Sequence, residues 1–153
     1  MPAPACILAG ISLPKPMGPR AERAGKDVEV ECKQLDKKGE DFHATLVARV
    51  GSQEETVHLA LVADGHGGSK AASMCAASLL QAIGEEAKNS TPAELSRALR
   101  ACFLSMHRTI CDAGTTSGAA VTVIAIVPAT SWLVTANVGD AVSISCRPCG
   151  LLL

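Results

Sequence analysis

The chain has 153 residues, of which 48% are hydrophobic, 19% charged and 2% aromatic, and its 14 basic and 15 acidic side chains leave a formal charge of -1. That length fits one domain with a real core, the apolar content excludes a disordered chain, and the interleaved signs in "PKPMGPRAERAGKDVEVECKQLDKKGED" exclude a dedicated nucleic-acid or anionic-membrane surface. With no tyrosine and one tryptophan the core has to rest on Ala, Val, Leu and Ile, and the small area of each alanine predicts modest stability.

Residues 1–26 read as a flexible, proline-rich leader, whose apolar "ACILAGISL" is too short and too late-charged for a secretory signal. Residues 27–145 read as the folded domain. In "DVEVECKQL" (27–35) polar and apolar side chains alternate with the period of a half-buried strand, and "FHATLVARV" (42–50) and "TVHLALVA" (56–63) repeat the pattern around a "GSQEE" turn. After "DGHGG", "SKAASMCAASLLQAIGEEAK" is a run of helix formers apolar almost all the way round, which predicts a helix packed on more than one side.

The second helix announces its own start. Thr91 can cap, Pro92 suits the first helical position, and Glu94 three residues after Thr91 completes a capping box. Leu95, Leu99, Cys102, Phe103, Met106 and Ile110 then recur at three- and four-residue spacing up to a stop near Gly114. This stripe is core, and His107 beside it is a surface residue. From Gly118, "AAVTVIAIV", a "PATS" turn and "WLVTANVG" predict a second hairpin, with "DAVSIS" as a third strand. Pro128 and the turn interrupt this apolar stretch, so it reads as strands and not as a membrane span. Strands, two helices and strands again argue an α+β fold with helices against antiparallel sheet.

Seven cysteines, an odd number without a regular framework, are expected to be free thiols in a reducing compartment, cytoplasmic or nuclear. "CRPC" (146–149), in an atypical tail of residues 146–153, has no second ligand pair for zinc and opens no helix for redox work, so it reads as incidental.

Acidic residues at strand ends beside glycine carry the clearest chemical signal. Asp64 is the only acidic residue between Glu55 and Glu85, set between an apolar strand and an alanine-rich helix, where an unpaired charge is costly to bury. Asp140 ends another strand, and Glu40 with Asp41 precedes the strand that begins at Phe42. Such positions suit hard cations, because carboxylate oxygens and a closely approaching backbone carbonyl meet there, and Asp64–Gly65 supplies both. His66 adds a group able to move a proton near neutral pH. The plainer alternative is a strand-to-helix turn in which Asp64 caps backbone amides. A glycine-rich nucleotide loop is excluded, since neither G-x-G-x-x-G nor a P-loop pattern is present.

Taken together and in order, "KKGEDF", "LALVADGHGGSKAA", "TSGAAVTVIAIV" and "LVTANVGDA" resemble the first half of the metal-dependent serine/threonine protein phosphatases of type 2C, the PPM family, and are most similar to its plant-type members. The resemblance implies a sandwich of two antiparallel sheets flanked by helices, with a pair of magnesium or manganese ions at one end. It implies that Asp64 bridges the ions, that the Gly65 carbonyl binds one, that Glu40 and Asp41 help hold metal-bound water, and that Asp140 serves an additional ion. His66 matches the proton donor to the leaving group. Lys37 and Lys38 stand beside Asp36, where some members carry a phosphate-binding arginine, and would take that role.

The family domain is longer, and its later half carries two further metal-binding aspartates; after Asp140 the family pattern gives way to "AVSIS". The expectation is therefore a partial phosphatase domain acting on phosphoproteins, weak or inactive alone, whose strands from Gly118 onward lack sheet partners and leave an edge for a partner chain. A non-catalytic binding module is the alternative.

Overall fold

The computed structural model describes Val28, Glu31 and residues 38–143. The leader, "CRPC" and Lys37 lie outside the described residues, as does nearly all of the strand expected at 27–35; Val28 and Glu31 are in no strand.

Alternation in "FHATLVARV" becomes strand β1 (Phe42–Val50), with Ala48 and Val50 buried on one side and His43, Thr45, Val47 and Arg49 exposed on the other. A turn at Gly51–Glu54, closed by the Glu54 N–H donating to the Gly51 carbonyl at 3.2 Å, leads into β2 (Glu55–His66). β2 runs three residues further than the period-two pattern suggested. Asp64, Gly65 and His66 belong to the strand, paired with Ala120, Ala119 and Gly118, so the turn into the helix begins only at Gly67.

Helix α1 (Lys70–Glu86) packs on β1, β2, β3 and the second helix, as its all-round apolar sequence required. Helix α2 (Pro92–Asp112) lies against α1 and the last strand, with Leu95, Leu99, Cys102, Phe103 and Met106 buried, Ile110 half-buried and His107 exposed. Strands β3 (Gly118–Val127) and β4 (Trp132–Val138) complete one antiparallel sheet in the order β1-β2-β3-β4. The architecture is α+β: two helices cover one face of the sheet, and the core of Leu, Val, Ile and Ala side chains lies between them. Burial pushes the thiols of Cys75 and Cys102 up to about 11, so both remain neutral and pack as small apolar groups.

Two expectations change. "DAVSIS" supplies no strand among its described residues, because the chain turns at Gly139–Asp140 and continues irregularly through Ser143. The strands from Gly118 onward are not left without partners either: β3 pairs with β2 on one side and β4 on the other, and the edges of the sheet are β1 and β4. What stands open is a face. Opposite the helices, Val47 and Val62 are 58% and 55% exposed, and the Thr122 hydroxyl donates to Asn137 Oδ1 at 2.8 Å across β3 and β4. The second sheet implied by the resemblance is not among the described residues. No described helix is long and apolar enough to cross a membrane.

Candidate functional site

One end of the sheet gathers nearly every residue that the motifs singled out. β2 finishes there with Asp64, Gly65 and His66; β1 starts there just after Glu40 and Asp41; β3 starts at Gly118; and β4 ends before Gly139 and Asp140. The antiparallel register makes this convergence unavoidable, because strands that alternate in direction bring every second terminus to the same end.

Strand alternation then sorts the residues by face. Leu59, Leu61 and Ala63 are buried toward the helices, so Val62, Asp64 and His66 point to the open side. Asp64 is exposed, and this corrects the setting inferred for it: its charge is solvated on the open face and no buried cation is needed to accommodate it. Carried one residue before Phe42↔Ala63, the β1–β2 register sets Asp41 across from Asp64 on that same face. On the other side Asp64 pairs with Ala120, and a side chain at Gly139 would press on the Ala120 Cβ at 2.9 Å. The turn carrying Asp140 thus reaches the same corner, where Asp140 is exposed.

His66 also lies on this face, exposed, with its imidazole resting over Gly118, its partner on β3. Any β-carbon at Gly118 would overlap the ring, so glycine there makes the seat for His66. Gly118 was inside a quoted motif but was given no role, and only the strand pairing reveals one.

Glu40 is on the other side. Gly65 alternates to the helix face, and Glu40 packs directly on it: a Cβ at Gly65 would overlap the Glu40 carbonyl and lie 3.2 Å from its Cβ. From there Glu40 Oε1 accepts the Gly68 N–H at 2.7 Å. Gly67 and Gly68 have φ of 68° and 117°, which glycine alone adopts without strain, and they turn the chain from β2 into α1. The first helical turn is capped from a distance: Ser117 Oγ accepts the buried Ala71 N–H at 3.0 Å, while Ser69 at the N-cap forms no side-chain cap. Asp64 is therefore not the cap that a simple turn would have made it. Ser117 carries no local sign of this task, since 46 residues separate it from Ala71.

Among the described residues no group of three or more His, Cys, Asp or Glu side chains converges to hold a metal ion. Asp41 and Asp64, set across from each other on the open face, are nevertheless the kind of donor a hard divalent cation takes, and magnesium commonly binds through one or two carboxylates while keeping several waters. The donor set fits such an ion held largely by water. Lys38 is exposed just before Gly39, near the same end.

The sequence model of the family described as Protein phosphatase 2C matches residues 26–148, most of the chain and every residue of this corner. No curated protein matches the chain.

Proposed function

The chain belongs to the protein phosphatase 2C family, and from that membership we propose that it hydrolyses phosphoserine and phosphothreonine in protein substrates at the open corner of its sheet, with magnesium or manganese as cofactor. The observation that carries this reading is the placement of Asp41, Asp64, His66 and Asp140 on or beside one face at one end of the sheet.

In this reading Asp64 and the Gly65 carbonyl would hold the cation, Asp41 would help hold its water, and Asp140 would serve an additional ion from the β4 side. A divalent ion bound there supplies positive charge against the charge that develops on the phosphoryl oxygens. Lys38 and Lys37, the latter outside the described residues, draw the phosphate monoester toward the corner. Water attacks phosphorus as the bond to the serine or threonine oxygen breaks, and His66, resting over Gly118, donates its ring proton to that departing oxygen, a contribution typically of about 10²- to 10⁴-fold from a positioned acid.

Purified chain incubated with a phosphothreonine peptide and manganese is expected to release phosphate only weakly, to stop on addition of a chelator, and to lose the activity with Asp64→Asn. A chain without turnover in manganese would overturn the catalytic reading. The exposed Val47 and Val62 favour a second reading, an interaction module whose open face meets a partner protein. In that case Asp64→Asn leaves phosphoprotein binding unchanged.

A further inference from the structure

We propose that Glu40 is a positioning residue, whose carboxylate acts by accepting the Gly68 N–H and so fixes the turn that follows Asp64 and His66, and not by meeting the cation or its water. The inference rests on the phosphatase reading above for the site that is positioned, but its geometry stands independently.

Two observations carry it. Glu40 and Asp64 lie on opposite faces of the sheet, because the Glu40 main chain and Cβ crowd the helix-side face of Gly65, the neighbour that alternates with Asp64. One oxygen of the Glu40 carboxylate is also already committed: Oε1 is 2.7 Å from the Gly68 amide in a part-buried setting, a bond spanning 28 residues. A charged acceptor on an amide makes the stronger kind of hydrogen bond, and Gly68 at a φ of 117° holds a conformation that only glycine adopts readily. Ser117 does the same for Ala71 three residues on. Two distant side chains thus hold the segment from Gly68 to Ala71, which begins two residues after His66. Asp41 remains the member of the acidic pair on the open face with Asp64.

The two roles separate by charge and by reach. Glu40→Gln removes the charge but keeps an acceptor oxygen at the same distance; Glu40→Asp keeps the charge but falls one methylene short of Gly68. Both are made in the full chain, with Glu40→Ala and Asp64→Asn for comparison. The readouts are Gly67 and Gly68 amide exchange by NMR and manganese affinity by calorimetry.

Glu40→Gln is expected to retain most of the Gly68 protection and to bind manganese within about twofold of the parent. Glu40→Asp and Glu40→Ala are expected to speed Gly68 exchange by about tenfold or more. Should Glu40→Ala not fold, the Gln and Asp pair decides the matter. The proposal is overturned if Gln weakens manganese binding as much as Asp64→Asn does, or if Asp leaves Gly68 as protected as in the parent. Absence of manganese binding in the parent chain would count against the cation site alone, while the amide comparison still decides the role of Glu40.

Discussion

The two helices begin in opposite ways. α2 is capped by its own neighbourhood: the Thr91 hydroxyl accepts the Glu94 N–H at 3.4 Å, Pro92 follows, and Asn89 Oδ1 takes the Thr91 amide at 3.0 Å. α1 has no cap of its own and borrows Ser117 from the start of β3 and, just before the helix, Glu40 from the start of β1. The locally made terminus sits at the far end of the sheet, away from Asp64 and His66. The borrowed one sits beside Asp64 and His66. The turn beside these two residues takes its conformation from distant parts of the chain.

The contrast can be broken most forcefully at Gly65. Gly65→Ala drives a methyl into the Glu40 backbone, which cannot swing aside as a side chain could, and is expected to cost about 1–3 kcal/mol or more by urea unfolding. An unchanged midpoint would mean that Glu40 is not seated on β2 as described.

Next in size are two cap removals set against each other. Ser117→Ala leaves the buried Ala71 amide without its acceptor and is expected to cost about 1–3 kcal/mol, whereas Thr91→Ala removes a solvent-exposed cap worth about 1 kcal/mol. Equal losses in urea midpoint would erase the distinction between borrowed and local capping.

The smallest effect is in acid. Arg97 hydrogen-bonds both Glu94 oxygens, at 2.9 and 2.7 Å, and the Lys88 N–H donates to one of them at 3.0 Å, so the Glu94 carboxyl is held down at about 2 from an ordinary value of 4.5. The carboxylate binds fewer protons folded than unfolded. Its contribution is therefore complete above about pH 4.5 and is lost as the pH falls toward about 2. Glu94→Gln is expected to narrow its stability gap from the parent between about pH 6 and about pH 3, measured as the difference in urea midpoints.

The same division explains what could be read in advance. β1 and the start of α2 fall where the residues place them, because alternation and the Thr91-Pro92-Glu94 spacing act over a few positions. Even there only half of the capping box forms: Glu94 turns to Lys88 and Arg97 instead of to the Thr91 amide, because Arg97 one turn on, tied also to Glu86 at 2.7 Å, offers a charged partner. The motifs located Asp64, His66, Asp41 and Asp140 at one corner, since a strand end next to glycine is visible in one dimension. The faces were not visible. Whether Glu40 or Asp41 accompanies Asp64 depends on a register between strands, and the solvated position of Asp64 depends on β2 continuing to His66 past the apolar run that marked it. Ser117 and Gly118 act only across pairings with segments some fifty residues earlier, where no local pattern reaches.

The borrowed cap of α1 also sets an order of events. Bringing Glu40 to Gly68 closes a loop of 28 residues and bringing Ser117 to Ala71 one of 46, and each closure costs chain entropy that short-range helix formation does not. α2 and the two hairpins can form from neighbouring residues. The turn from His66 into α1 takes its final shape only when β1, β2 and β3 are already side by side, so the corner that carries Asp64 and His66 is completed only after the sheet that surrounds it has formed.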